Sequence, residues 1–96
     1  MNPVFEWDSG KAAANIRKHG VTFEEAITVF SDPLARVFDD PDHSLRERRE
    51  IIIGQSSKER LLLVSFTERA DRIRIISART ATRSERQAHE EDIEEK

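Results

Sequence analysis

EIIIGQSSKERLLLVSFTERADRIRIISAR, residues 50–79, is the stretch on which the fold turns. It holds three apolar runs, EIIIG, RLLLVSFTE and DRIRIISAR, rich in β-branched residues and leucine, while the breaks GQSSKE and RAD are hairpin-sized and contain turn formers. Runs of this length bounded by turn residues predict strands, and such short connections favour antiparallel neighbours. The run LLLV does not alternate, as suits a central strand buried on both faces. Within DRIRIISAR, strand geometry turns Ile73 and Ile75 one way and Arg72 and Arg74 the other. Continued without a bulge, the same alternation puts Ser77 and Arg79 on the isoleucine side, where Arg79 escapes the core only at the rim or past a local kink.

Outward from this stretch the chain becomes helical. Asp8 can cap a helix through KAAANIRK, which Gly20 closes because it accepts the left-handed C′ conformation. Thr22 and Glu25 form a capping box, Val21 can staple onto Ala26, and Phe23, Ala26, Ile27 and Phe30 recur at helical spacing until Asp32-Pro33 ends the helix. LARVFD, residues 34–39, reads as a short strand and DDPDHSLRE, residues 39–47, as a polar loop. A second capping box, Thr82 to Glu85, opens a helix through RSERQAHEEDIEE in which only Ala88 and Ile93 could bury. A helix this polar is weakly docked or completed by a partner, and residues 90–96 are expected to fray. The prediction is one α+β domain over residues 1–96: a small antiparallel sheet of three to four strands, two N-terminal helices covering one face, and a C-terminal helix.

Composition narrows the function. The 96 residues are 36% apolar and 36% charged, enough for one modest core. With no cysteine, a disulfide framework and a thiolate metal site are excluded and a reducing cytoplasm is the expected compartment. No segment has the length of a membrane span or the layout of a secretion signal, and no Gly-rich phosphate loop, G-x-S-x-G or zinc spacing occurs.

The net charge of −3 conceals an asymmetry. Arg69 to Arg86 holds six arginines against Asp71 and Glu85, whereas residues 89–96 carry five acids and one lysine. Twelve of the sixteen basic residues are arginine, whose fork matches phosphate or carboxylate bidentately. Arg83 lies in the first turn of the last helix, a place that favours anions, so a cation there suggests a negative partner. Ser77, Arg79, Arg83 and this helix start together resemble a phosphate-binding corner. The ordinary alternative is that the arginines lie along a small, poorly covered core.

Two segments carry a resemblance: FEWDSGKAAANIRKHGVTFEEAITVFSDP near the front and TERADRIRIISARTATRSERQAHEE near the back. Over roughly residues 4 to 91 the chain resembles the BrnT family, the toxin halves of bacterial type II toxin-antitoxin pairs. Its most specific parts are FEWD, the N-x-x-KHGV-x-FEEA run and the R-I-ISAR series that continues through Ala81 to Glu85. The resemblance implies a RelE-like fold and growth-arresting ribonuclease activity. It also implies a BrnA-type antitoxin with a ribbon-helix-helix portion, which silences the toxin in a two-plus-two assembly and carries the pair to operator DNA. One departure stands out: His89 stands where the family leads one to expect a tyrosine.

Metal-free RNA cleavage needs a group to take the 2′-hydroxyl proton, cations for the charged phosphorane and an acid for the leaving 5′-oxygen. The candidate catalytic residues are His19, Glu68, Arg79 and Arg83. His19, in the KHG motif, suits proton transfer, although a C-capping histidine is an equal structural reading. Glu68 becomes a base if burial raises its pKa, and otherwise forms a hairpin-end salt bridge with Arg69. Lys11, Lys18, Ser77, Arg69 and His89 are candidate RNA contacts, and Trp7 can stack on a base or plug the core. His43 ranks last of the three histidines for proton transfer, and the loop Asp39, Asp40, Asp42, His43 matches no metal-loop pattern, so no cofactor or metal is expected. Three functions compete: a metal-independent endoribonuclease toxin, a non-catalytic antitoxin-binding module within a DNA-bound repressor complex, and a metal-dependent phosphoesterase using the aspartate loop.

Overall fold

A computed structural model of the chain describes residues 3–41 and 48–94. Its strands are β1 (Val4–Glu6), β2 (Arg36–Asp39), β3 (Glu50–Gln55), β4 (Leu61–Arg69) and β5 (Arg72–Thr80), and its helices are α1 (Ser9–His19), α2 (Phe23–Thr28) and α3 (Arg83–Glu94), with a 3-10 turn at Val29–Ser31. The five strands form one sheet in the order β1-β5-β4-β3-β2. The three predicted central strands, the short one after Pro33 and the helices are present, but the sheet is larger than predicted and mixed. β1 pairs parallel with β5, and the other pairings are antiparallel. Phe5 holds β1 in place, its ring edge-on to Phe30 at 5.1 Å, and Phe30 in turn meets Phe66 at 5.1 Å.

The local signals act as the sequence suggests, with one diversion. The Asp8 carboxylate accepts from the Lys11 N–H, and Gly20 closes α1 at φ 69°. Thr22 accepts from the Glu25 N–H at 3.0 Å, but the Glu25 carboxylate does not complete the box. It turns instead to Ser56 Oγ at 2.6 Å and to the Arg60 guanidinium, whose Nη2 also donates to Gly20 O. The Glu25 side chain is 2% exposed and that of Arg60 37%, and this half-buried ion pair ties the β3–β4 hairpin to the turn between α1 and α2.

On the first face of the sheet, Val21, Phe23, Ala26 and Val29 pack against Ile52, Leu62, Val64, Phe66, Ile75 and Ala78. Phe23, Leu62 and Ile75 are fully buried, each worth about 2–3 kcal/mol of transfer free energy. Asn15 ties α1 to the edge of β5 beyond the end of β1. Its Nδ2 donates to Val21 O and Ala78 O and its Oδ1 accepts from the Ala78 N–H, all within 2.9–3.0 Å. One side-chain amide thus occupies both backbone groups of Ala78, as a neighbouring strand would.

A β-bulge in β5 decides where the arginines go. Ser65 pairs with Ser77 but Phe66 pairs with Ile75, so Ile76 is an inserted residue. The insertion shifts the alternation by one, which is why Ile75 and Ala78, three residues apart, both lie in the core. Ser77 and Arg79 therefore turn to the second face, opposite the side that unbroken alternation predicts. α3 lies there too, so the helices cover both faces of the sheet. Among the described residues no helix is long and apolar enough to cross a membrane.

Candidate functional site

The register lays residues of the second face in rows across the strands. Arg36, Ile53, Leu63 and Arg79 form one row; Phe38, Ile51, Ser65 and Ser77 form the next. One step further along the sheet, Thr67 pairs with Arg74, and Arg74 with Glu6 on β1. Two opposed serines at the centre are therefore flanked by Arg79 on one side and Arg74 on the other. Ser65 and Ser77 are both half-buried, and neither hydroxyl has a hydrogen-bond partner among the described residues. A half-buried hydroxyl between guanidinium groups is a donor suited to an anion.

The arginines are ordered by acids of the same chain. Arg74 Nη1 donates to Glu6 Oε2 at 3.1 Å and Arg72 lies 3.4 Å from the other oxygen. Arg79 donates from Nη1 and Nη2 to the two oxygens of Glu85, each at 2.8 Å, and from Nη1 to Thr80 O at 3.3 Å. Those bonds to Arg79 pull the Glu85 carboxyl down to about 2 against the opposing effect of burial, with a further contribution from Thr82. Here the capping box is complete: Thr82 N–H donates to Glu85 Oε1 at 2.8 Å and Glu85 N–H to Thr82 Oγ1 at 3.2 Å.

α3 crosses this face as a strap. Glu85 meets Arg79 near one end and Asp92 meets Arg36 at 2.9 Å near the other. His89 is the buried residue of α3. It is 7% exposed and lies with Ala88 over a cavity of about 380 Å3 walled by Phe38, Ile51, Ile53 and Leu63. This differs from the expectation that Ala88 and Ile93 would bury: Ala88 is exposed and Ile93 half-buried. Because ion pairs rather than an apolar stripe fix the helix, a polar side chain faces the wall.

The predicted site residues are thus divided. Arg79 and Ser77 share the second face, and exposed Arg83 opens α3 beside them. His19, half-buried at the end of α1, lies at the same end of the sheet, because Arg60 reaches Gly20 O while the adjoining Leu61 O accepts from the Ala81 N–H. Lys11 and Lys18 are exposed on α1. Glu68 and Arg69 are at the opposite end, next to the β4–β5 turn, and Glu68 pairs with Ile73 on the first-face side. Leu63, the partner of Arg79, is five residues away along β4, about 17 Å at strand rise, so Glu68 does not join Arg79. Trp7 packs edge-on against Phe23 at 5.9 Å as part of the core margin. The aromatic ring displayed on the second face is Phe38, 55% exposed. Phe38 and Ser65, which share this face with Arg79, carry no signal in the sequence beyond alternation within their strands.

Among the described residues no group of three or more His, Cys, Asp or Glu side chains is gathered for a metal ion. Asp39 pairs with Arg48 at 3.1 Å, and Asp42 and His43 lie outside the described residues.

Comparison with known proteins adds two likenesses. The family model described as "Ribonuclease toxin, BrnT, of type II toxin-antitoxin system" matches residues 7–85. Among solved structures the chain is similar to the Brucella abortus ribonuclease toxin BrnT, with 26% sequence identity and a TM-score of 0.67, covering 85% of this chain and 100% of that one. No curated protein matches the chain.

Proposed function

Because the chain belongs to the family of BrnT ribonuclease toxins of type II toxin-antitoxin systems, we propose that it cuts RNA on the second face of its sheet, by 2′-hydroxyl attack and without a metal ion. The supporting observation is the pair of unpartnered hydroxyls, Ser65 and Ser77, set between Arg74 and Arg79. In this reading the serines donate to a phosphate oxygen, Arg79 and Arg83 stabilise the charge that builds on the phosphorane, and Phe38 stacks on a base. His19, at the end of the sheet that carries Arg79 and Arg83, exchanges the proton. Glu68 has no part in it. The sheet serves as the platform of a RelE-like toxin, and Lys11 and Lys18 guide the RNA from α1.

The antitoxin in this proposal is of the BrnA type, a ribbon-helix-helix protein joining the toxin two-plus-two, with operator DNA reached only through it. The test is purified protein incubated with RNA in chelator, followed by end analysis. Products with 2′,3′-cyclic phosphate ends from the wild type, and none from Arg79→Ala at equal melting temperature, are expected. A module that only binds the antitoxin leaves RNA intact, and a metal-dependent phosphoesterase stops in chelator; either result refutes the proposal.

A further inference from the structure

The hydrogen bonds of Arg79 account for its donors one by one. A guanidinium carries five N–H groups. Glu85 takes one from Nη1 and one from Nη2, and Thr80 O takes the second from Nη1. What remains is Nε–H and the second Nη2–H, which lie parallel along one edge of the guanidinium plane, the arrangement that grips a phosphate bidentately. The Arg79 side chain is 41% exposed, and its unpartnered Nε is not among the buried polar atoms left without a partner, so that edge meets solvent. Glu85 is itself held: its Oε1 accepts from the Thr82 N–H, and α3 is pinned at its far end by Arg36 and Asp92.

We propose that Glu85 is a positioning residue for phosphate recognition: it clasps the outer edge of Arg79 and thereby fixes the Nε/Nη2 edge as the one that meets the scissile phosphate. This rests on the reading of Arg79 given under Proposed function. It also gives α3 a role, as the arm that carries the clasp. The competing view is that Glu85 masks Arg79 and must leave before RNA binds. The two views demand opposite outcomes when the carboxylate is neutralised.

Glu85→Gln keeps the capping box, where glutamine serves as well as glutamate, but faces one Nη–H of Arg79 with an amide that cannot accept. Thr82→Ala removes the hydroxyl cap and weakens the start of α3 while leaving the clasp intact. With RNA as substrate, Glu85→Gln should lower kcat about 10–100-fold with KM changed less than about threefold, since a misplaced group costs turnover more than binding. Thr82→Ala should keep the wild-type kcat despite a lower melting temperature. A Glu85→Gln enzyme as fast as wild type or faster overturns the proposal in favour of the mask, and equal losses in both variants reduce Glu85 to a helix cap. Should the wild type cut no RNA, the functional reading fails by itself and inorganic phosphate becomes the probe. The Arg79 Nε–H resonance is then expected to shift saturably with phosphate in wild type but not in Glu85→Gln, and a wild-type resonance that never moves overturns the proposal.

Discussion

Arg36 and Arg79 stand at the two ends of one row across the sheet, and the acids that meet them, Asp92 and Glu85, lie seven residues apart on α3. Three strand spacings separate the arginines, about 14 Å, whereas seven helical residues rise about 10.5 Å, a difference that long arginine side chains absorb by leaning inward. A helix with no apolar stripe is thereby tied down at both ends. The pairs are partly exposed, so each contributes modestly to stability, and their effect is to decide where α3 lies.

Acid should undo the strap from its Arg79 end. A carboxyl lowered from 4.5 to about 2 in the folded protein contributes stability that is complete above about pH 5 and is lost as the pH falls toward the folded value. Amide hydrogen exchange in α3 is expected to keep its protection down to about pH 4.5 and lose it toward pH 2. In Glu85→Gln, protection should be weaker at neutral pH and fall less across that range, since only the Asp92–Arg36 tie is left for acid to break. Wild-type protection that does not change with acid would show that Glu85 does not hold the helix.

Asn15→Leu should cost about 2–4 kcal/mol in urea unfolding, because it leaves the Ala78 N–H and C=O and the Val21 C=O without their partner in a buried place. Asn15→Asp should also lose stability, as it can accept from Ala78 but cannot donate. A loss below about 0.5 kcal/mol in both variants would mean that the edge of β5 is satisfied in another way.

Arg60→Met strands the Glu25 carboxylate, leaving Ser56 as its remaining side-chain partner. The expected loss is about 2–4 kcal/mol, toward the lower end for a broken buried pair because Arg60 is partly exposed. The Glu25 carboxyl, now held below its usual range chiefly by its hydrogen bonds to Arg60, should titrate higher in the variant. A two-dimensional NMR titration reads this directly, and an unchanged Glu25 midpoint would contradict the assignment.

Phe38→Ala should weaken RNA binding by about 1–3 kcal/mol, the usual worth of one stacked base. Stability should change little because the ring is largely exposed. Fluorescence titration with a short RNA and thermal melting separate the two effects, and unaltered affinity would remove Phe38 from the interface.

Much of the scaffold was legible in the sequence, for reasons that lie close together along the chain. The runs of residues 50–79 announce three strands, Asp8 and Gly20 bracket α1, and Thr82 with Glu85 opens α3. β1 gave no such signal: three residues on a sheet edge carry too little periodicity, and their place depends on β5 and on Phe30. The bulge at Ile76 was equally hidden, since IISAR reads the same with or without an inserted residue. Its consequence is large, because it moves Ser77 and Arg79 to the other face. Glu25 offered half a capping box and then turned to Arg60, a partner 35 residues away. Arg74 and Arg79 share the RIISAR run, but Ser65 and Phe38 belong to no motif, and only strand register brings all four onto one face.

The most direct test is a crystal structure with a short RNA whose 2′-hydroxyl at the cleavage step is methylated, so that it binds without being cut. A backbone phosphate is expected within hydrogen-bond distance of Ser65 Oγ, Ser77 Oγ and the Nε/Nη2 edge of Arg79, with Glu85 still clasping the other edge. A phosphate seated instead on α1, between Lys11 and Lys18 and remote from Arg79, would contradict that placement.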